Sequence, residues 1–136
     1  MIYTKYILDN NKSYIDVHIT NDYEIRMYYY YFSNKMFSGT ICGFIKSDNT
    51  HILRSKKKYS NEKILLLSSF FVNNEYRRKG IGSILLKCMI DVARKHNIKK
   101  ILLDDMSDNY RLHNNIYITH GFYYVHDDGP EMEYIL

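Results

Sequence analysis

At 136 residues and 46% hydrophobic content, the chain is long enough to bury one core and too short for two mononucleotide-binding halves. No apolar run approaches the ~20 residues of a membrane-spanning helix, and Met1 is not followed by the basic and apolar regions of a secretory leader, so neither a membrane protein nor an exported one is expected. A net charge of +4 suits an anionic small molecule without requiring nucleic acid.

In chain order, residues 13–20 alternate, with Ile15, Val17 and Ile19 on one face and Tyr14 on the other, which predicts a strand. Asn21-Asp22 reads as a turn. Ile25, Met27, Tyr29 and Tyr31 then continue the alternation begun at Tyr23, against Glu24, Arg26 and Tyr28, and a third strand follows over about residues 39–47. The aromatic run from Tyr28 to Phe32 fits either a strand covered on both faces or one wall of a substrate pocket. No helical period is visible in this half. Residues 47–62 are the most polar stretch and read as a connection. Within it Arg54-Ser55-Lys56-Lys57-Lys58 fits a solvated loop, or a site for phosphate, RNA or a nuclear importer.

Ile64-Leu65-Leu66-Leu67-Ser68-Ser69-Phe70-Phe71-Val72 reads as a buried strand. Leu85, Met89, Val92 and His96 recur at helical spacing, predicting a helix over 81–97. Between them lies Arg77-Arg78-Lys79-Gly80-Ile81-Gly82. A glycine-rich turn opening a helix is suited to phosphate, because first-turn N–H groups are unpaired and the helix dipole favours an anion. It is not a P-loop, since no Lys-Ser or Lys-Thr follows either glycine. A dinucleotide fingerprint fails at Leu85, although Asp104 and Asp105 stand near the distance of its ribose-binding acid. Lys99 to Asp104 reads as a further strand. Gly121 suits the left-handed residue ending a helix over 110–120, and the tail from Phe122 to Leu136 reads as two strands around Asp127-Asp128-Gly129-Pro130. Cys42 and Cys88 match no ligand spacing and fit reduced, buried thiols of a cytoplasmic protein, and the six histidines show no metal spacing, so no metal is expected.

The stretch from Val72 to Gly82, with its Arg-x-x-Gly-x-Gly core, resembles the pyrophosphate loop of the GNAT superfamily of acyl-CoA-dependent N-acyltransferases. Asn74 departs from it, where proline is frequent. Ile116-Tyr117-Ile118-Thr119-His120-Gly121-Phe122 resembles that family's Leu-Tyr-x-x-x-Gly-Phe segment. The resemblance covers residues 63–126 well and the N-terminal half poorly. It implies an α+β fold: a mixed, mainly antiparallel sheet of six to seven strands with flanking helices, within a single domain over 1–136. Residues 1–62 would supply N-terminal strands and loop, 63–126 the acyl-CoA-binding core, and 127–136 a C-terminal strand.

The resemblance also implies acetyl-CoA as acyl donor. Arg77, Arg78, Lys79, Gly80, Ile81, Gly82 and Ser83 would hold its pyrophosphate. Phe70, Phe71 and Val72 would line its pantetheine arm and polarise the thioester carbonyl through a backbone N–H. Asn109 resembles the asparagine that begins the family's last helix, one residue further from Tyr117 than usual, and equally fits a plain helix cap. Acyl transfer to an amine needs a base for the ammonium, with a lysine pKa near ~10.4, and an acid for the departing thiolate. Tyr117 matches the family's acid, and on its own pattern it also fits a core tyrosine. The strand 64–72 contains no acid, so the base is open among Asp104, Asp105, Glu75, Glu24 and His113, or bulk water. Asp104 and Asp105 lead because they end a strand beside the expected cleft. The acids Asp127, Asp128, Glu131 and Glu133 border the place of the acceptor and fit either a cation-attracting rim or a solvated turn. Three functions follow: an N-acetyltransferase acting on a primary amine of a protein, polyamine or small molecule; a non-catalytic acyl-CoA sensor; or, less well supported, a basic nucleic-acid-binding domain.

Overall fold

A computed structural model describes residues 2–21, 23–46 and 62–136. Among the described residues eight strands form one sheet: β1 (Ile2–Leu8), β2 (Ser13–Thr20), β3 (Glu24–Tyr31), β4 (Gly39–Lys46), β5 (Ile64–Val72), β6 (Lys100–Asp104), β7 (Tyr123–Tyr124) and β8 (Glu131–Ile135). Their spatial order is β1-β2-β3-β4-β5-β6-β8-β7. All neighbours are antiparallel except β5 and β6, which makes a doubly wound dinucleotide fold impossible here. The fold is the mixed, mainly antiparallel α+β architecture expected, with one strand more.

The additional strand is β1. Its apolar residues stand on both faces, Ile2, Tyr6 and Leu8 on one and Tyr3 and Ile7 on the other, so no period of two marks it. It is an edge strand, and Ile2, Tyr3 and Ile7 are all about half exposed. The connection to β2 is a tight turn at Asp9–Asn11 with φ of 49°, 51° and 68°, and among the described residues the N-terminal half contains no α-helix.

The alternation in β2 and β3 sets their register. Ile15 pairs with Tyr29, Val17 with Met27 and Ile19 with Ile25, all buried on one face. Helix α1 (Ile81–Lys95) covers that face with Ile81, Leu85, Leu86, Met89, Ile90, Val92 and Ala93. Burying each large side chain of this kind stabilises the fold by about 1.5–3 kcal/mol. Among the described residues no helix lies over the opposite face of β2 and β3. Along the aromatic run Tyr29 is buried, Phe32 is exposed, and Tyr30 stacks on Tyr14 with centroids 5.1 Å apart.

The helix expected over 110–120 is a single turn, α2 (Ile116–Thr119). Arg111 has φ 62°, which a right-handed helix cannot contain, and residues 107–115 form turns instead. The turn expected at Asn21-Asp22 is entered by Asn21 with φ 45°, while Asp22 and the basic cluster 54–58 lie outside the described residues. Among the described residues no helix is long and apolar enough to cross a membrane.

Candidate active site

β5 and β6 pair only from Ile64 to Leu66, opposite Lys100 to Leu102. Beyond Leu66 the two strands part, and among the described residues β5 keeps only β4 as a ladder partner. A strand edge released in this way presents its main-chain N–H and C=O groups to whatever enters the gap. Two connected cavities fill the opening. One of about 290 Å³ is lined by Leu67, Ser68, Ser69, Leu103 and Asp104. The other, about 630 Å³, runs along Phe70, Phe71 and Val72 to the start of α1 and reaches Asn109 on its far wall. Phe70, Met106, Ser107 and Tyr117 line both, so they form one cleft.

A bulge shapes the middle of this cleft. Cys42 pairs with Ser69 and Gly43 with Leu67, which leaves Ser68 as the extra residue on β5. Bulges bend a strand and re-aim its side chains, and here Ser68 donates to the Cys42 carbonyl at 3.3 Å while lining the smaller cavity.

At the far end, Gly80 precedes α1 with φ 80°, a conformation that favours glycine. No side chain caps this helix end, and the first turn contains no acidic residue. The N–H groups of Ile81, Gly82 and Ser83 thus have no intrahelical partner and border the larger cavity. Fifteen residues of helix behind them set a positive dipole end there. Among the expected loop residues, Arg77, Arg78, Gly80, Ile81, Gly82 and Ser83 line this cavity. Arg77 also donates from Nε to the Val72 carbonyl at 3.0 Å, which ties the loop to the end of β5. Lys79 does not line the cavity; its Nζ lies 5.9 Å from the centroid of the Tyr76 ring. Charge and uncapped donors suit this end to an anion.

Tyr117 stands where the cavities meet. Its ring lies 6.1 Å from Phe70 and 5.9 Å from Phe122 by centroid. Burial first, and then the negative charge of Asp105, push its pKa up to about 12. The phenol is therefore protonated throughout the neutral range, as a proton donor requires.

The two leading carboxylates are placed differently. Asp104 lines the smaller cavity. Asp105 does not; it is buried at 3% exposure and accepts from Ser107 N at 3.0 Å, Ser107 Oγ at 2.5 Å, Asn115 Nδ2 at 2.8 Å and Tyr124 OH at 2.6 Å. Glu75 and His113 are exposed, and Glu24 pairs with Arg26; none of the three lines either cavity. Asn109 lines the larger cavity but does not begin a helix. That position belongs to Asn115, whose Oδ1 accepts from Tyr117 N at 2.7 Å. Sequence reading missed Asn115; the signal that could have found it is an asparagine immediately before the apolar turn that opens at Ile116. Glu131 and Glu133 are buried on β8, with Tyr123 OH donating to Glu133, while Asp127 and Asp128 are exposed.

The chain belongs to the acetyltransferase (GNAT) family, whose model matches residues 4–122. No curated protein matches the sequence. Among solved structures, an acetyltransferase of the GNAT family from Staphylococcus aureus Mu50 superposes with TM-score 0.63 at 20% identity, covering 85% of this chain and 70% of its own. PaiA N-acetyltransferase from Thermoplasma acidophilum, in complex with coenzyme A, gives TM-score 0.57 at 22% identity, with 84% and 62% covered. NAA60 of Arabidopsis thaliana, in complex with a bisubstrate analogue, gives TM-score 0.63 at 12% identity, with 84% and 74% covered. The chain thus spans between about three fifths and three quarters of the length of these relatives in fold.

Proposed function

We propose that this protein is an N-acetyltransferase that moves an acetyl group from acetyl-CoA to a primary amine. One observation carries the reading: a single cleft joins an uncapped helix start to a half-buried, protonated tyrosine. In this reading the cosubstrate's pyrophosphate lies against the N–H groups of residues 78–83, and its arm follows Phe70, Phe71 and Val72. The amine enters by the smaller cavity, where Asp104 draws its proton directly or through water. The free amine attacks the thioester carbonyl, the N–C bond forms, and the C–S bond breaks. Tyr117 gives its proton to the leaving thiolate, and the second proton that the nitrogen sheds on becoming an amide restores the phenol. Holding both reactants in one cleft supplies the orientation that the uncatalysed reaction lacks.

The test is calorimetry with acetyl-CoA followed by a CoA-release assay over a panel of protein, polyamine and small-molecule amines. Binding with release on at least one amine class supports the proposal. Tight binding with no release on any amine favours a sensor, a reading to which the lack of an α-helix among the described residues of the N-terminal half lends weight. No binding of acetyl-CoA overturns both.

A further inference from the structure

The most heavily bonded polar group near the cleft is Asp105, and no step of the acetyl transfer described above uses it. A carboxylate at 3% exposure is costly unless its oxygens are satisfied, and Asp105 is satisfied by four donors from three separate pieces of chain. Ser107 supplies two of them from the loop after β6. Tyr124 supplies one from β7. Asn115 supplies the last, and Asn115 is fully buried.

Asn115 has two ends with different tasks. Its Nδ2 donates to Asp105 Oδ2 at 2.8 Å, to Ser107 Oγ at 3.1 Å and to the Asn109 carbonyl at 3.1 Å. Its Oδ1 accepts from Tyr117 N at 2.7 Å and from Ile118 N at 3.4 Å. The side chain is therefore a bridge from Asp105 to the backbone of Tyr117. Helix α2 is only four residues long and has little stability of its own, so its position depends on that cap. Tyr124 extends the chain outward: its hydroxyl accepts from Arg111 N at 2.6 Å, and the Arg111 guanidinium lies 4.3 Å from the Tyr124 ring and donates to the carbonyls of His126 and Gly129. One carboxylate thus ties the cleft wall, the helix that holds Tyr117 and the β7–β8 hairpin to each other.

We propose that Asp105 is a positioning residue which, through Asn115, holds Tyr117 at the junction of the two cavities. The inference rests on the acetyl-transfer reading for its catalytic consequence, but its structural core does not. Asp105 also contributes to the raised pKa of Tyr117, second to burial; the carboxylates that line the cleft are Asp104 in the smaller cavity and Asp108 in the larger.

The test compares Asp105→Asn, Asn115→Ser and Tyr117→Phe with the double variant Asp105→Asn/Tyr117→Phe. Asparagine keeps the shape of Asp105 but turns one acceptor into a donor facing donors. Serine at 115 keeps a cap acceptor and removes the donor to Asp105. Each of the first two should lower kcat about tenfold or more while calorimetric CoA affinity changes less than about twofold, because misplacing a reacting group costs rate rather than cosubstrate binding. In the Tyr117→Phe background Asp105→Asn should cost almost nothing further, as groups acting through one another are non-additive. A full, additive loss there overturns the proposal and makes Asp105 an independent catalytic or purely structural group. A readout besides activity is the ring-carbon NMR resonance of 13C-labelled Tyr117, assigned by its disappearance in Tyr117→Phe. It should move, and its titration midpoint fall, in Asp105→Asn and move in Asn115→Ser; an unmoved resonance in a folded variant overturns the proposal. If Asp105→Asn does not fold, Asn115→Ser decides by the same resonance. Full activity of Tyr117→Phe with a moved resonance would instead remove Tyr117 from the acid role and leave the positioning intact.

Discussion

A Cβ built on Gly82 would stand 3.3 Å from Ile116 Cδ1 and 3.5 Å from Phe70 Cζ. The first turn of α1 and the first residue of α2 therefore touch with no space between them. The anion-suited turn and the helix that holds Tyr117 share one wall, and Phe70 of β5 closes it.

That contact separates two substitutions at Gly82. Gly82→Ala adds one methyl against the flexible end of Ile116 and improves helix propensity by up to about 1 kcal/mol, so thermal stability should change little. Gly82→Asp puts a carboxylate where the proposed pyrophosphate lies. Calorimetry should show CoA affinity falling by about tenfold or more, on the scale of a like-charge contact in a partly desolvated site. Unaltered affinity in the aspartate variant would move the pyrophosphate elsewhere.

Gly80 answers to a different constraint. Nothing lies within 4 Å of a Cβ built there, yet φ is +80°. Bulk is tolerated and backbone strain is not. Gly80→Val should cost roughly 1–3 kcal/mol in denaturant unfolding, and Gly80→Asn clearly less, since asparagine adopts the left-handed region more readily than a β-branched residue. Equal stability of the two variants would mean that the loop relaxes to negative φ without cost.

These two glycines show how far the sequence was legible. The apolar run of β5, the turn and the heptad-like spacing of α1 are local signals, and the structure reproduces β5 at Ile64–Val72 and ends α1 at Lys95, two residues before the expected limit. Signals failed where the determinant is a partner distant in sequence. β1 is a strand because β2 offers it an edge, not because it alternates. Sequence reading named Asn109 as the cap and passed over Asn115, which the buried carboxylate of Asp105 holds in that role through a hydrogen bond spanning ten residues. Asp104 and Asp105 are adjacent acids with opposite environments, because successive residues leaving a strand point to opposite sides.

The two cysteines should be poor nucleophiles in the folded protein. Burial pushes the Cys88 thiol up to about 11 and raises that of Cys42 as well. At pH 8 both are almost wholly thiol, the unreactive form. Ellman titration of the native protein should therefore be slow, with two thiols released rapidly after denaturation. Rapid native labelling of Cys42, which is 8% exposed, would require an opening of β4 that the sheet does not display.

Tyr117 gives the clearest pH signature. Its folded pKa of about 12 lies above the ordinary value of 10.0, as does that of Tyr123, which is also raised to about 12. The sign for stability follows: the folded form resists ionisation, so the contribution is complete below pH 10 and is lost as pH rises from 10 through about 12. The sign for catalysis is the same, because an acid works only while it holds its proton. Activity of the wild type should therefore show no alkaline loss attributable to Tyr117 below about pH 11, given that value. Tyr117→Phe keeps the ring against Phe70 and Phe122 and removes the proton. It should lower kcat by about 10²–10⁴-fold with acetyl-CoA affinity nearly unchanged, since the hydroxyl acts in the transition state. A deficit that shrinks as the pH is raised, where a thiolate needs less help in leaving, would add support. An unchanged pH–rate profile and full kcat in the phenylalanine variant would make Tyr117 a packing residue and place the acid elsewhere in the cleft.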